Sequence, residues 1–184
     1  MFGISSPEKR RTRMKSKASL WVATGLLLIP IAASAQKPED VATIDGIVKA
    51  FYEVVSGPTG ESADRARDES IHHPDAAVAI ASVDAEGNRV LTTMTLGEYH
   101  DRFGGPRAQP FYEWEIHRVT QRFGSIAQIW TTYVESDTPN GSPTGRGINS
   151  IQLYFDGDRW WITSWVFDSE RAGNEIPDAY LPRR

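Results

Sequence analysis

Glu113, Glu115 and His117 occupy alternate positions in the run FYEWEIH, so on an extended strand all three side chains share one face. Two carboxylates and an imidazole on one face are the residue types of general acid–base chemistry. Walled by apolar groups, a carboxylate there has a raised pKa and serves as base, with His117 as acid or orienter. The same alternation is also the ordinary way a half-buried strand turns polar residues to water, with Trp114 and Ile116 toward the core. The sequence leaves both readings open.

A second set consists of single polar or aromatic groups placed to hold a ligand. His72 and His73 precede Pro74 and Asp75 at a helix exit, where a histidine either meets ligand or caps nearby backbone. Tyr99 stands beside His100 on the apolar side of a short helical run. Trp130, Tyr133 and Asn149 fall on strand patterns, Asn149 as the polar member of a face shared with Ile151, Leu153 and Phe155. A buried amide of this kind needs a partner, either a ligand or the Tyr133 hydroxyl. His72, Tyr99, Trp130, Tyr133 and Asn149 are therefore the expected ligand-binding residues. No metal is expected, because His72, His73 and Asp75 are too close in sequence to converge on one ion without contortion. No cofactor is expected either.

Around these residues the pattern falls into helices first and a sheet last. Val41, Ile44, Val48, Phe51, Tyr52 and Val55 recur at helical spacing, with Asp40 as a cap and Ser56-Gly57-Pro58 as a stop. Residues 61–71 predict a second, shallower helix. Short strands over 77–83 and 89–92 flank the turn Ala85-Glu86-Gly87-Asn88. Thr95-Leu96-Gly97-Glu98 has the spacing of a capping box and opens a third helix, stopped at Gly104-Gly105-Pro106. Four long runs rich in β-branched and aromatic residues follow, over 111–123, 126–136, 147–155 and 159–167. Tight turns at Gly124-Ser125 and Asp156-Gly157-Asp158 make their neighbours antiparallel.

The ends and the charge set the context. Residues 1–35 combine six basic residues, an apolar run over 20–31 and Ala33-Ser34-Ala35, the layout of an export signal peptide, with Met14 as a possible true start. The apolar run is about a dozen residues, shorter than the roughly 20 of a membrane-crossing helix. The expected product is one domain over 36–184, periplasmic or secreted. Six of the 20 Lys+Arg and one of the 24 Asp+Glu precede Gln36, leaving 14 against 23, a net charge of −9. Such a surface disfavours nucleic acid and, once the signal is cleaved, anionic membrane. The chain has no cysteine, which removes disulfides, thiol catalysis and thiolate metal sites.

The order of elements, together with FYEWEIHRVTQRFGSIAQIWTTYVES, GRGINSIQLYFDGDRWWI and HHPDA, resembles the nuclear transport factor 2-like superfamily in its SnoaL-like branch. The resemblance implies an α+β fold, a cone made by a curved antiparallel sheet with three N-terminal helices packed on its concave face. It implies a pocket between helices and sheet, and not a particular reaction. The paired Asp/Tyr of ketosteroid isomerase and the Asp-Arg-Asp of limonene epoxide hydrolase do not map onto these residues, so no catalytic residue is carried over. Two functions follow as expectations: an exported small-molecule-binding domain, or a cofactor-independent lyase, isomerase or hydrolase. Trp160 and Trp161 alternate, with Trp165 on the side of Trp161, so both sheet faces read as aromatic. Cover for the outer face is expected from a second copy, as a homodimer.

Overall fold

The computed structural model describes residues 37–183. The expected export signal, its expected cleavage site and Met14 lie outside the described residues. Ten main elements follow in the order α1 (Pro38–Val41), α2 (Ile44–Val55), α3 (Arg65–Ile71), β1 (His72–Val83), β2 (Arg89–Thr95), α4 (Leu96–Phe103), β3 (Tyr112–Phe123), β4 (Ile126–Ser136), β5 (Gly145–Phe155) and β6 (Trp160–Ser169). A single 3₁₀ turn, Asp178–Tyr180, closes the chain.

The first expected helix is broken in two. Thr43 caps α2 by accepting from the Gly46 N–H at 2.9 Å, leaving Asp40 free of the capping role that its position suggested. Asp40 instead turns inward and takes both arms of the Arg67 guanidinium at 2.6 and 2.8 Å, while Arg67 also reaches Glu53 at 2.8 Å. One buried fork thus ties α1, α2 and α3 together. Removing one member of such a pair costs about 3–5 kcal/mol, because a charge is left buried alone. α2 buries Ile47, Val48, Phe51 and Tyr52 in one core with the sheet, each large apolar side chain contributing roughly 2 kcal/mol. The capping box at α4 is present as its spacing predicts, Thr95 and Glu98 bonding each other's backbone N–H at 3.2 and 2.8 Å.

The six strands run in the order β2-β1-β6-β5-β4-β3. Every junction is antiparallel except β1 to β6, which is parallel, so the sheet is mixed where the expectation was wholly antiparallel. That junction joins the first strand to the last, and no hairpin turn dictates its direction. The sheet is curled but open, with helices on one face. β1 begins directly at His72, so HHPDA is strand and not the loop that Pro74 suggested; an irregularity between His72 and Ala77 accommodates it.

Two bulges decide which side chains face the helices. On β3, Glu115 pairs with Tyr133 but His117 pairs with Thr132, so Ile116 is an extra residue and the alternation inverts beyond it. On β6, Ile162 pairs with Leu153 and Ser164 with Gln152, so Thr163 inverts the alternation there too. Trp165 consequently lies on the side of Trp160 and Ile162, all three within the core, and not on the side of Trp161.

The outer face is partly covered by the chain's own end. The Thr132 hydroxyl donates to the Tyr180 carbonyl at 2.6 Å, Trp130 packs on the Tyr180 ring at 5.8 Å, and Ile176 is buried.

Candidate functional site

Between α2, α3, α4 and the curl of the sheet lies a cavity of about 140 Å³. Its wall is built by pinning helix ends to strand starts. Ser56, just past α2, donates to the Tyr52 carbonyl at 2.8 Å and accepts from the Glu113 N–H at 2.9 Å. A bridge between Gly57 and Phe111 extends this seam. Arg107 holds the opposite side, donating to the carbonyls of Val55 (2.6 Å), Glu61 (2.9 Å) and Ser62 (3.1 Å). Phe111 and Glu113 are thereby fixed at the cavity wall, facing Phe51, Tyr99, Trp165 and Phe167.

Two kinds of carboxylate reach this space. Asp68, fully buried on α3, stands between two imidazoles: His72 Nδ1 at 3.2 Å from Oδ1 and His100 Nε2 at 2.9 Å from Oδ2. The Trp165 indole donates to His72 Nε2 at 3.0 Å, so the ring proton sits on Nδ1, which donates to the Asp68 carbonyl at 2.8 Å. Burial opposes ionisation of Asp68, but His72 and His100 outweigh it and hold its pKa down to about 2. Glu113 has no such support. Burial and the neighbouring Glu135, its direct partner across the β3–β4 ladder, push its pKa up to about 8 against a single opposing contact with Asn149. Glu113 and Glu135 both keep part of their surface open, and both line the cavity.

The residues singled out in the sequence divide accordingly. Of the three on β3, Glu113 reaches the cavity. Glu115 shares its face but is gripped by Arg118, at 2.8 and 2.6 Å, and accepts from Thr131 at 2.5 Å. His117 is turned to the outer face by the bulge at Ile116, opposite Thr132. The expected common face is therefore broken, and Arg118 occupies the inward position that strict alternation gives to His117. Trp114 and Ile116, expected toward the core, line a hollow on the outer face with Val134 and Arg146.

Of the expected ligand-binding set, Tyr99, Tyr133 and Asn149 line the cavity. Asn149 donates to the Tyr52 hydroxyl at 3.3 Å, and Tyr52 in turn meets Thr131 at 3.0 Å, so its amide partner is Tyr52 and not Tyr133. The Tyr133 hydroxyl lies 3.3 Å from Ser169. Burial raises the pKa of the Tyr99 hydroxyl well above the usual phenol value, with Asp68 and Glu113 adding to the shift. His72 is locked in the core by Asp68 and Trp165, and Trp130 sits on the outer face under Tyr180; neither lines this cavity.

Asp68, Glu135, Phe111 and Phe167 complete the wall and were not singled out in the sequence. A signal for two of the wall residues was present in GRGIN. Gly145 pairs with Glu135 and Gly147 with Tyr133, and a side chain at either glycine would collide with the residue opposite. Glycine inside a strand marks such a close approach.

No family model matches the sequence, and no curated protein matches it. Solved structures do. A nuclear transport factor 2-like protein of unknown function from Shewanella baltica is 15% identical, covering 68% of this chain and 91% of its own at a TM-score of 0.46. Another from Silicibacter pomeroyi is 14% identical over 70% and 94%, TM-score 0.49. A protein of unknown function with a cystatin-like fold from Nostoc punctiforme is 10% identical over 71% and 95%, TM-score 0.51.

Proposed function

We propose that this chain, whose fold is that of the nuclear transport factor 2-like superfamily, is a small-molecule-binding domain that takes its ligand between helices and sheet. The observation carrying this reading is the cavity itself: about 140 Å³, walled by aromatic rings, with Glu113 uncompensated by any cation among the described residues. A void of roughly 150 Å³ in a protein interior holds a molecule of benzene size. Convergent polar groups in an otherwise apolar recess are the usual mark of a ligand site. The basic, apolar and small-residue layout of residues 1–35 supports a periplasmic or secreted setting for that binding.

A screen of benzene-sized fragments by differential scanning fluorimetry tests the proposal. At least one chemical class should raise the melting temperature, and should lose its effect when Tyr99→Trp fills the cavity. A diverse library in which nothing stabilises the protein would overturn the binding reading.

A second reading, a cofactor-independent lyase, isomerase or hydrolase, is supported by Glu113. A carboxyl with its pKa pushed up to about 8 is protonated at neutral pH and available as a general acid, with the Tyr99 hydroxyl nearby. The binding reading is preferred because Glu115 and His117 do not join Glu113 at the cavity.

The proposal includes a homodimer through the outer sheet face. Val119, Phe123, Ile126 and Tyr154 form an exposed apolar patch there, Phe123 at 84% exposure. Light scattering that gives a monomer at micromolar concentration, unchanged by Phe123→Glu, would remove it.

A further inference from the structure

Resting on the binding reading above, we infer that the ligand of the cavity is a small organic cation, an ammonium of the size of tetramethylammonium or choline, held by carboxylates inside an aromatic enclosure. The wall has the composition for it. Six rings surround the space: Phe51, Tyr99, Phe111, Tyr133, Trp165 and Phe167. Three carboxylates, those of Asp68, Glu113 and Glu135, join them, and no Lys or Arg lines the cavity. Ring faces carry negative electrostatic potential and attract cations, most of all alkylated ammonium groups that lose little hydration on entry. An anion meets three carboxylates and no donor of opposite charge.

The cross-strand pair makes the same point. Glu113 and Glu135 stand directly opposite each other on β3 and β4, an arrangement that is unfavourable for two like charges. Among the described residues no cation neutralises them: the nearby Arg107 lines a neighbouring hollow, with its guanidinium committed to the carbonyls of Val55, Glu61 and Ser62. The contrast with Glu115 is direct, since Arg118 and Thr131 satisfy that carboxylate a few residues away. A cation between Glu113 and Glu135 supplies to this pair what Arg118 supplies to Glu115.

Binding should therefore depend on pH. The groups facing Glu113 are Glu135 and Tyr133 from β4, Asn149 from β5, Tyr99 from α4 and Asp68 from α3, with His72 and His100 behind Asp68. Asp68 stays ionised throughout, so Glu113, its pKa pushed up to about 8, sets the alkaline dependence. Ligand entry favours its carboxylate and releases its proton.

Calorimetric titration of the purified protein with choline and tetramethylammonium, alongside 3,3-dimethylbutan-1-ol as the neutral isostere of choline, tests the inference. The expected result is cation binding about tenfold tighter near pH 9 than near pH 6, about tenfold tighter than the isostere, and accompanied by proton release. Glu113→Gln should lose that preference for the cation and its pH dependence while still taking up the isostere. If that variant fails to fold, the pH profile of the unaltered protein decides. Equal affinity for choline and its isostere, or cation affinity independent of pH, overturns the inference and leaves the binding reading standing. No binding of either cation at any pH also overturns it, and the fragment screen then decides the binding reading separately.

Discussion

Asp68 and Glu113 are two acids on the wall of one cavity, removed from water by the same fold, yet their carboxyl groups are driven in opposite directions, to about 2 and about 8. Burial opposes the charge on both. What separates them is what stands next to each: two imidazoles beside Asp68, another glutamate beside Glu113. The first arrangement places an imidazole against each carboxylate oxygen and links α3, α4 and β6 through His100, His72 and Trp165. The second has no cation beside it among the described residues. A partnered buried charge is structure, and an unpartnered one bordering open space is a candidate for function.

The contrast can be broken most severely at Asp68. Asp68→Asn removes the carboxylate that both imidazoles face, and should lower stability by about 2–3 kcal/mol in urea unfolding, the scale of buried hydrogen bonding to a charged group. A loss of under about 1 kcal/mol would mean the imidazoles do not depend on that charge. Glu113→Gln should act with the opposite sign at alkaline pH. The folded pKa of Glu113 lies above its ordinary value near 4.5, so its contribution is fully present below about pH 4.5 and is lost as pH rises through about 8. Because Glu113 keeps part of its surface open, the variant should be only about 2–3 kcal/mol more stable than the unaltered protein near pH 9, and no more stable near pH 4.

Asp68 gives the other limb. Its folded pKa is lowered, so its contribution is present above about 3.8 and is lost as pH falls toward 2. Melting temperature measured across pH should therefore peak near pH 4–5, with Asp68→Asn flattening the acid side and Glu113→Gln the alkaline side. A maximum above pH 7 would contradict the assignment of Glu113. The smallest effect is expected at Arg118→Met, which strips from Glu115 its partner, the two side chains 18% and 22% exposed. It should cost about 1 kcal/mol, or roughly 2–4 °C in melting temperature. A larger loss would place Glu115 in the same class as Asp68.

The elements themselves were legible in the sequence to the extent that local rules governed them. The α4 capping box, the β3–β4 and β5–β6 hairpins and the helical spacing of Val48, Phe51 and Tyr52 all lie within a few residues of one another and need nothing from elsewhere. The site was legible one residue at a time: Glu113, Tyr99, Tyr133 and Asn149 line the cavity as single groups, but the proposed trio on β3 does not. Period-two reading fails at any inserted residue, and nothing within FYEWEIHR marks Ile116 as one. The same failure at Thr163 moved Trp165 to the opposite face.

By itself the sequence determined most of the elements, the acidic and cysteine-free composition, and the placing of the four long strands last, since these follow from residue type and near neighbours. The tertiary structure alone decided the rest: the parallel junction of β1 with β6, the inversion of β3 and β6 at their bulges, the capture of Asp40 by Arg67, and the two different fates of Asp68 and Glu113. Each of these depends on residues distant in sequence meeting across a packed interior, where the charge of a carboxylate is set by what the fold brings beside it.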